Sequence, residues 1–101
     1  MRRKQATANV QIDNERIRVT EYWFNGNEET GFHVHQCDYI VVPQTNGQLL
    51  LIDDMGVETT VTLLKGRSYY RQAGVSHNVI NNGDEKLVFI EIEIKAHTIW
   101  K

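Results

Sequence analysis

His33 and His35 flank Val34, and His77 lies in a second histidine-bearing segment that runs from Gly66 to Asn81. Successive side chains of an extended chain point to opposite faces, so a strand over residues 32–35 would put both imidazoles on one side. Imidazole is the commonest metal-binding side chain near neutral pH, and each neutral ring offers one lone pair to a first-row ion at ~2.0 to 2.1 Å. A third histidine from another strand would then complete a metal site. Three of the four histidines fall in these two segments. The fourth, His97, reads as a surface residue near the C-terminal end.

The elements that must carry these residues are strands. Helical periodicity is hard to find, whereas short β-rich runs are punctuated by turn residues, the rhythm of a sandwich or barrel. One strand is expected over 16–24, closed by Asn25-Gly26-Asn27, and another over 39–42, ended by Pro43, the sole proline. Asn46-Gly47 is a hairpin signal before a strand over 48–53. A strand from Val57 alternates Val57, Thr59, Val61 and Leu63 with Glu58, Thr60, Thr62 and Leu64. A short strand over 77–81 precedes Asn82-Gly83. The last strand, 86–95, carries Val88, Ile90, Ile92 and Ile94 on one face and Leu87, Phe89, Glu91 and Glu93 on the other. The aliphatic face is expected in the core, with the two glutamates reaching solvent. Residues 1–9 and 96–101 read as tails, although Ile99 and Trp100 would be wasteful on a free end, so docking onto this subunit or a partner is expected.

The chain of 101 residues fits one domain, able to bury roughly 60 to 70% of its unfolded surface. Its formal charge of −2 is scattered in sign, which leaves no footprint for nucleic acid or an anionic membrane. No run approaches the ~20 apolar residues of a membrane-spanning helix. Arg2-Arg3-Lys4 does not lead into an apolar signal-peptide core, because Gln5, Thr7, Asn9 and Gln11 interrupt it. The single cysteine, Cys37, has no partner for an intramolecular disulfide, in keeping with a reducing compartment. A cytoplasmic protein is expected.

The two histidine segments resemble the motifs of the cupin superfamily. Its second motif is G-x5-P-x-G-x2-H-x3-N, and Gly66, Gly74, His77 and Asn81 fall in register, with Gln72 in place of the usual proline. Its first motif is G-x5-H-x-H-x3,4-E-x6-G, where His33, His35 and Gly47 match and Gly26 or Gly31 stands for the first glycine. The glutamate is missing, since its slot falls at Tyr39 or Ile40. The run Asp38-Tyr39-Ile40-Val41-Val42-Pro43 looks like that of short, single-domain bacterial cupins. The resemblance implies an all-β, double-stranded β-helix of jelly-roll type, as one cupin domain over residues 1–101. It further implies that His33, His35 and His77 are metal ligands inside the barrel.

An open three-nitrogen site suits zinc, iron(II), nickel or copper, and cupins that keep the glutamate commonly bind iron or manganese. Loss of the carboxylate makes the site more positive and favours an anionic ligand. Tyr39 is a candidate for hydrogen bonding to a ligand, for catalysis or for ligation, with core packing as the ordinary role of a buried tyrosine. Asp38 would restore a carboxylate if the turn after His35 were irregular, and otherwise bonds local backbone. Tyr69 and Arg71 should line the cavity mouth, where Arg71 would pair with an anionic substrate. Cys37 is expected as a small buried hydrophobe, and Trp23, Phe24 and Phe32 as barrel core.

Two functions stand at this point. One is a metallo-cupin that binds or transforms a small organic anion, as an iron dioxygenase or through Lewis-acid chemistry. The other is a non-catalytic binding or structural module, with or without metal. A homodimer is expected, because a barrel of this size leaves sheet edges to cover.

Overall fold

The computed structural model describes residues 2–95, and every regular element among them is a strand. In chain order these are β1 (Lys4–Gln5), β2 (Thr7–Asp13), β3 (Ile17–Phe24), β4 (Glu28–Glu29), β5 (His33–Val34) and β6 (Asp38–Pro43). They continue as β7 (Gly47–Asp53), β8 (Glu58–Leu63), β9 (Tyr69–Arg71), β10 (Ser76–Ile80) and β11 (Leu87–Ile94). One sheet runs β1-β4-β10-β7-β8 with β5 also on β10, and the other runs β2-β3-β11-β6-β9. All pairings are antiparallel except β1 with β4. The two sheets face each other as the halves of a jelly roll, which closes the core without a helix. No helix is long and apolar enough to cross a membrane among the described residues.

The core lies between the sheets and is filled by one face of each long strand. Tyr39 and Val41 on β6, Leu49 and Leu51 on β7, Val79 on β10 and Leu87 and Phe89 on β11 form a single buried cluster. Its aromatic centre is Tyr22, Phe24 and Phe89, with Phe89 5.4 Å from Tyr22 and 5.6 Å from Phe24 between ring centroids. Gly47 opens β7 where the backbone passes Leu87 closely, and a Cβ there would lie 2.3 Å from Leu87 Cδ2. Asn81 ends β10 as a buried clasp. Its Nδ2 donates to the carbonyls of Glu85, Phe24 and Asn25 at 2.7, 3.1 and 3.3 Å, and its Oδ1 accepts from Gly83 N at 3.1 Å.

β11 reverses the expected facing. Leu87, Phe89 and Glu91 are buried, while Val88, Ile90 and Ile92 are half-buried and Ile94 is exposed on the outer side. The register explains it: Phe89 pairs with Tyr22 and Pro43, and Glu91 with Thr20 and Val41, all of the inner face. Both faces of this strand are rich in apolar groups, so alternation alone could not choose the inner one.

The N-terminal residues expected as a tail are strands instead. β1 pairs with β4 and β2 with β3, although all seven side chains of β2 are exposed. Backbone pairing, rather than side-chain burial, holds them. Phe24 is core, but Trp23 lies 39% and Phe32 55% exposed, because Trp23 sits on the outer face of β3. Cys37 is free and only partly buried. His97, Ile99, Trp100 and the expected tail 96–101 lie outside the described residues.

Candidate metal centre

β5 and β10 pair so that His33 stands directly opposite His77. Just beyond β5 the ladder continues: His35 N donates to Val75 O and Gly74 N donates to His35 O, each at 2.8 Å. Gly74 holds φ +100°, a left-handed conformation that glycine adopts without penalty, and this turn brings β10 in beside His35. The extended course through 33–35 puts both of its rings on one side, as the spacing predicts.

The three rings meet at their Nε2 atoms. His35 Nε2 lies 2.9 Å from His33 Nε2 and 3.2 Å from His77 Nε2, and the rings meet edge to face. His33 Nδ1 sits 2.9 Å from the Gly31 carbonyl and 3.3 Å from Thr30 Oγ1. Thr30 Oγ1 gives its own proton to the Gly31 carbonyl at 2.9 Å, so the proton of His33 resides on Nδ1 and leaves Nε2 a bare lone pair. Gly31 is itself anchored by Asn78 Oδ1, which accepts its N–H at 3.0 Å.

His35 and His77 are buried, with 6% and 5% exposure. Burial, then the charges of His33, His77 and Arg71, brings His35 down to about 3. Burial, then His33 and Arg71, brings His77 to about 4. Both are neutral nitrogen donors at pH 7, the form a metal ion requires.

The donor set therefore fits a cation. With neighbouring Nε2 atoms 2.9 and 3.2 Å apart, the three histidines could hold one divalent ion between them. The His33, His35 and His77 ligand atoms all lie within 4.8 Å of one another.

Tyr39 stacks on His35, with ring centroids 3.9 Å apart and planes at 19°. Burial, with a contribution from Glu91, pushes its phenol to about 12 and keeps it protonated. Tyr39, Tyr69 and Arg71 line a small internal cavity of about 20 Å³ together with His35 and His77. A cleft of about 340 Å³ outside it is lined by Asp53, Asp54, Ser76 and others, and shares Leu51, Arg71 and His77 with the cavity. Asp38 is not at the histidines. Its Oδ2 accepts from Tyr70 Oη at 2.5 Å and its Oδ1 from Ala73 N at 2.8 Å, bonds that hold its carboxyl below the usual range.

The residue that sequence reasoning missed is Glu91. It lines the same cavity at 6% exposure, and burial followed by the Glu93 charge pushes it up to about 7. Glu91, Glu93 and His35 ligand atoms also lie within 4.8 Å of one another. The signal for it was Phe89, whose bulk belongs inside and carries Glu91 with it two residues on.

No protein-family model matches the chain. It is 48% identical over 93 residues to a beta-alanine degradation protein, BauB, of Pseudomonas aeruginosa, covering 92% of this chain and 97% of that one. A crystal structure of a cupin domain from Bordetella pertussis Tohama I is 54% identical, with a TM-score of 0.90 over 95% of this chain and 99% of that chain. A cupin superfamily protein from Desulfitobacterium hafniense, 14% identical, shares the fold, with a TM-score of 0.71 over 95% of this chain and 83% of that one.

Proposed function

The chain belongs to the cupin family, and from that premise we propose that it binds one divalent ion on His33, His35 and His77 and presents it to a small organic anion. The observation that carries this reading is the convergence of three Nε2 atoms at 2.9 and 3.2 Å, one of them with its proton fixed on the far nitrogen. Bare lone pairs so close repel unless a cation or proton lies between them. When bound, the ion supplies Lewis-acid polarisation of a ligand oxygen, and iron would add redox chemistry.

The chain's own residues do the rest. Gly31 and Thr30 orient His33, and Tyr39 fixes the plane of His35. Arg71, at the boundary of cavity and cleft, offers its guanidinium to a carboxylate. Leu51, Val79 and Phe89 keep bulk water from the inner side. The similarity to a beta-alanine degradation protein of Pseudomonas supports a role in the breakdown of small carboxylates, and an iron-dependent dioxygenase is one form that such a role would take.

We further place two copies in the working assembly and the protein in the cytoplasm. β2 is an edge strand exposed on both faces, with Val10 59% and Ile12 46% exposed, and across β3 from it lies the aliphatic outer face of β11. A second copy related by a two-fold axis is the occupant that pairs such an edge and covers that face together.

Metal analysis tests the site: protein purified without tag or chelator should carry about one equivalent of a single divalent metal, absent from His77→Ala. No metal in the wild type and no uptake on reconstitution would reduce the trio to hydrogen-bonding core residues of a metal-free binding barrel.

A further inference from the structure

Glu91 is turned into the barrel and left without a donor. Among the described residues no protein hydrogen bond reaches its carboxylate although the residue is only 6% exposed, and Arg3 Nε is the one fully enclosed polar side-chain atom without a partner, so the Glu91 oxygens keep an opening to the cavity that they line. The nearby Arg18 is spent elsewhere, on Asp13 at 3.4 Å and Glu93 at 3.6 Å. A buried carboxylate costs stability unless something pairs with it, so a position of this kind is kept for a partner that arrives.

The strand register shows where that partner would come from. Glu93, Tyr39 and Arg71 form one inward row across β11, β6 and β9; Glu91, Val41 and Tyr69 form the next row, deeper in the barrel. Arg71 thus stands at the rim and Glu91 one row in, two strands away. The outer cleft, about 340 Å³, ends at Arg71 and His77. The inner cavity beyond them, about 20 Å³, has room for one water-sized group, and Glu91, Tyr39 and Tyr69 line it.

We propose that this site takes a small bifunctional carboxylate, whose acid group rests on Arg71 in the cleft while a terminal ammonium or hydroxyl enters the cavity and donates to Glu91. A second carboxylate is excluded from the inner position by size. A plain alkyl terminus there leaves Glu91 unpaired, and sites built to accept a hydrogen bond reject ligands that cannot give one. ω-Amino carboxylates match the pattern best, since their charges are opposite in order to Arg71 and Glu91. The inference rests on the small-anion reading of the histidine site and names the ligand class for it.

Calorimetric titration of the zinc-loaded protein with β-alanine, 3-hydroxypropanoate and propanoate tests it. β-Alanine should bind at least about 10-fold more tightly than propanoate, with 3-hydroxypropanoate between them. Glu91→Gln, loaded with zinc and compared at equal zinc content, should erase most of that preference. Equal affinities in the wild type overturn the proposal and leave the anion site standing, and this comparison needs no variant to fold. A preference that survives in Glu91→Gln overturns the role of Glu91. Binding of none of the three compounds, in protein that holds its zinc, overturns both the proposal and the anion reading.

Discussion

The Nε2 atoms of His35 and His77 lie 3.2 Å apart although 42 positions separate the two residues in the chain. That closeness is made by backbone, through the bonds of His35 N to Val75 O and Gly74 N to His35 O. Side chains pressed together in this way have consequences that depend on pH, packing and register.

Burial keeps His35 and His77 neutral in the folded chain, at about 3 and about 4 against 6.5 when exposed. Their contribution to stability is fully present above pH 6.5 and is lost as the pH falls toward their folded values, because the unfolded chain takes up the protons first. Glu91 works in the opposite sense: raised to about 7 from 4.5, it favours the folded state below pH 4.5 and loses that contribution as the pH rises through 7. Chelator-treated protein should therefore unfold at lower urea at pH 5 than at pH 7, and Glu91→Gln should steepen the fall. An unchanged slope in the variant would contradict the opposed titrations.

Tyr39 acts on the site through its ring. Tyr39→Phe should keep the stack on His35 and bind zinc with nearly wild-type affinity, whereas Tyr39→Ala should weaken binding by roughly 10-fold or more, as loss of an orienting neighbour does. The cavity left by the smaller side chain should also cost about 3 to 5 kcal/mol in urea denaturation. Loss of zinc binding in Tyr39→Phe would point to the phenol oxygen instead.

Asn81 belongs to the fold and not to the chemistry. Asn81→Ala strips three carbonyls of their donor and should cost about 2 to 3 kcal/mol, a drop of roughly 10 °C or more in Tm, with metal stoichiometry intact in the folded fraction. Thermal melts read by circular dichroism, with metal analysis of the same sample, separate the two effects.

The outer face of β11 should carry the dimer. Light scattering is expected to give twice the 11.7 kDa chain mass for the wild type, and Ile92→Lys should shift it to the monomer because Ile92 faces outward between Val19 and Ile40. A wild-type monomer at micromolar concentration would remove the second copy from the proposal.

The histidine trio and the barrel were legible because both rest on strict spacing. His33 and His35 differ by two positions, the strand repeat, and Gly66, Gly74, His77 and Asn81 are tied to two turns and the short strands β9 and β10. What stayed hidden depended on tertiary choice. β11 has apolar residues on both faces, so only its register with Tyr22 and Pro43 decides that Glu91 goes in and Ile92 goes out. β2 alternates Thr7, Asn9 and Gln11 with Ala8, Val10 and Ile12, a strand pattern, yet without a buried face its start, up to residue 9, read as a tail. The exposed Trp23 shows the same ambiguity on β3.

The paired bonds between His35 and the turn at Gly74 and Val75 make the main chain itself a reporter. Whatever steadies the imidazoles must also steady those two amides, since neither can open without displacing a ring. Ligation at the histidines should accordingly slow deuterium uptake at the His35 and Gly74 amides together, two stretches of chain far apart in order that would exchange as a single cooperative unit.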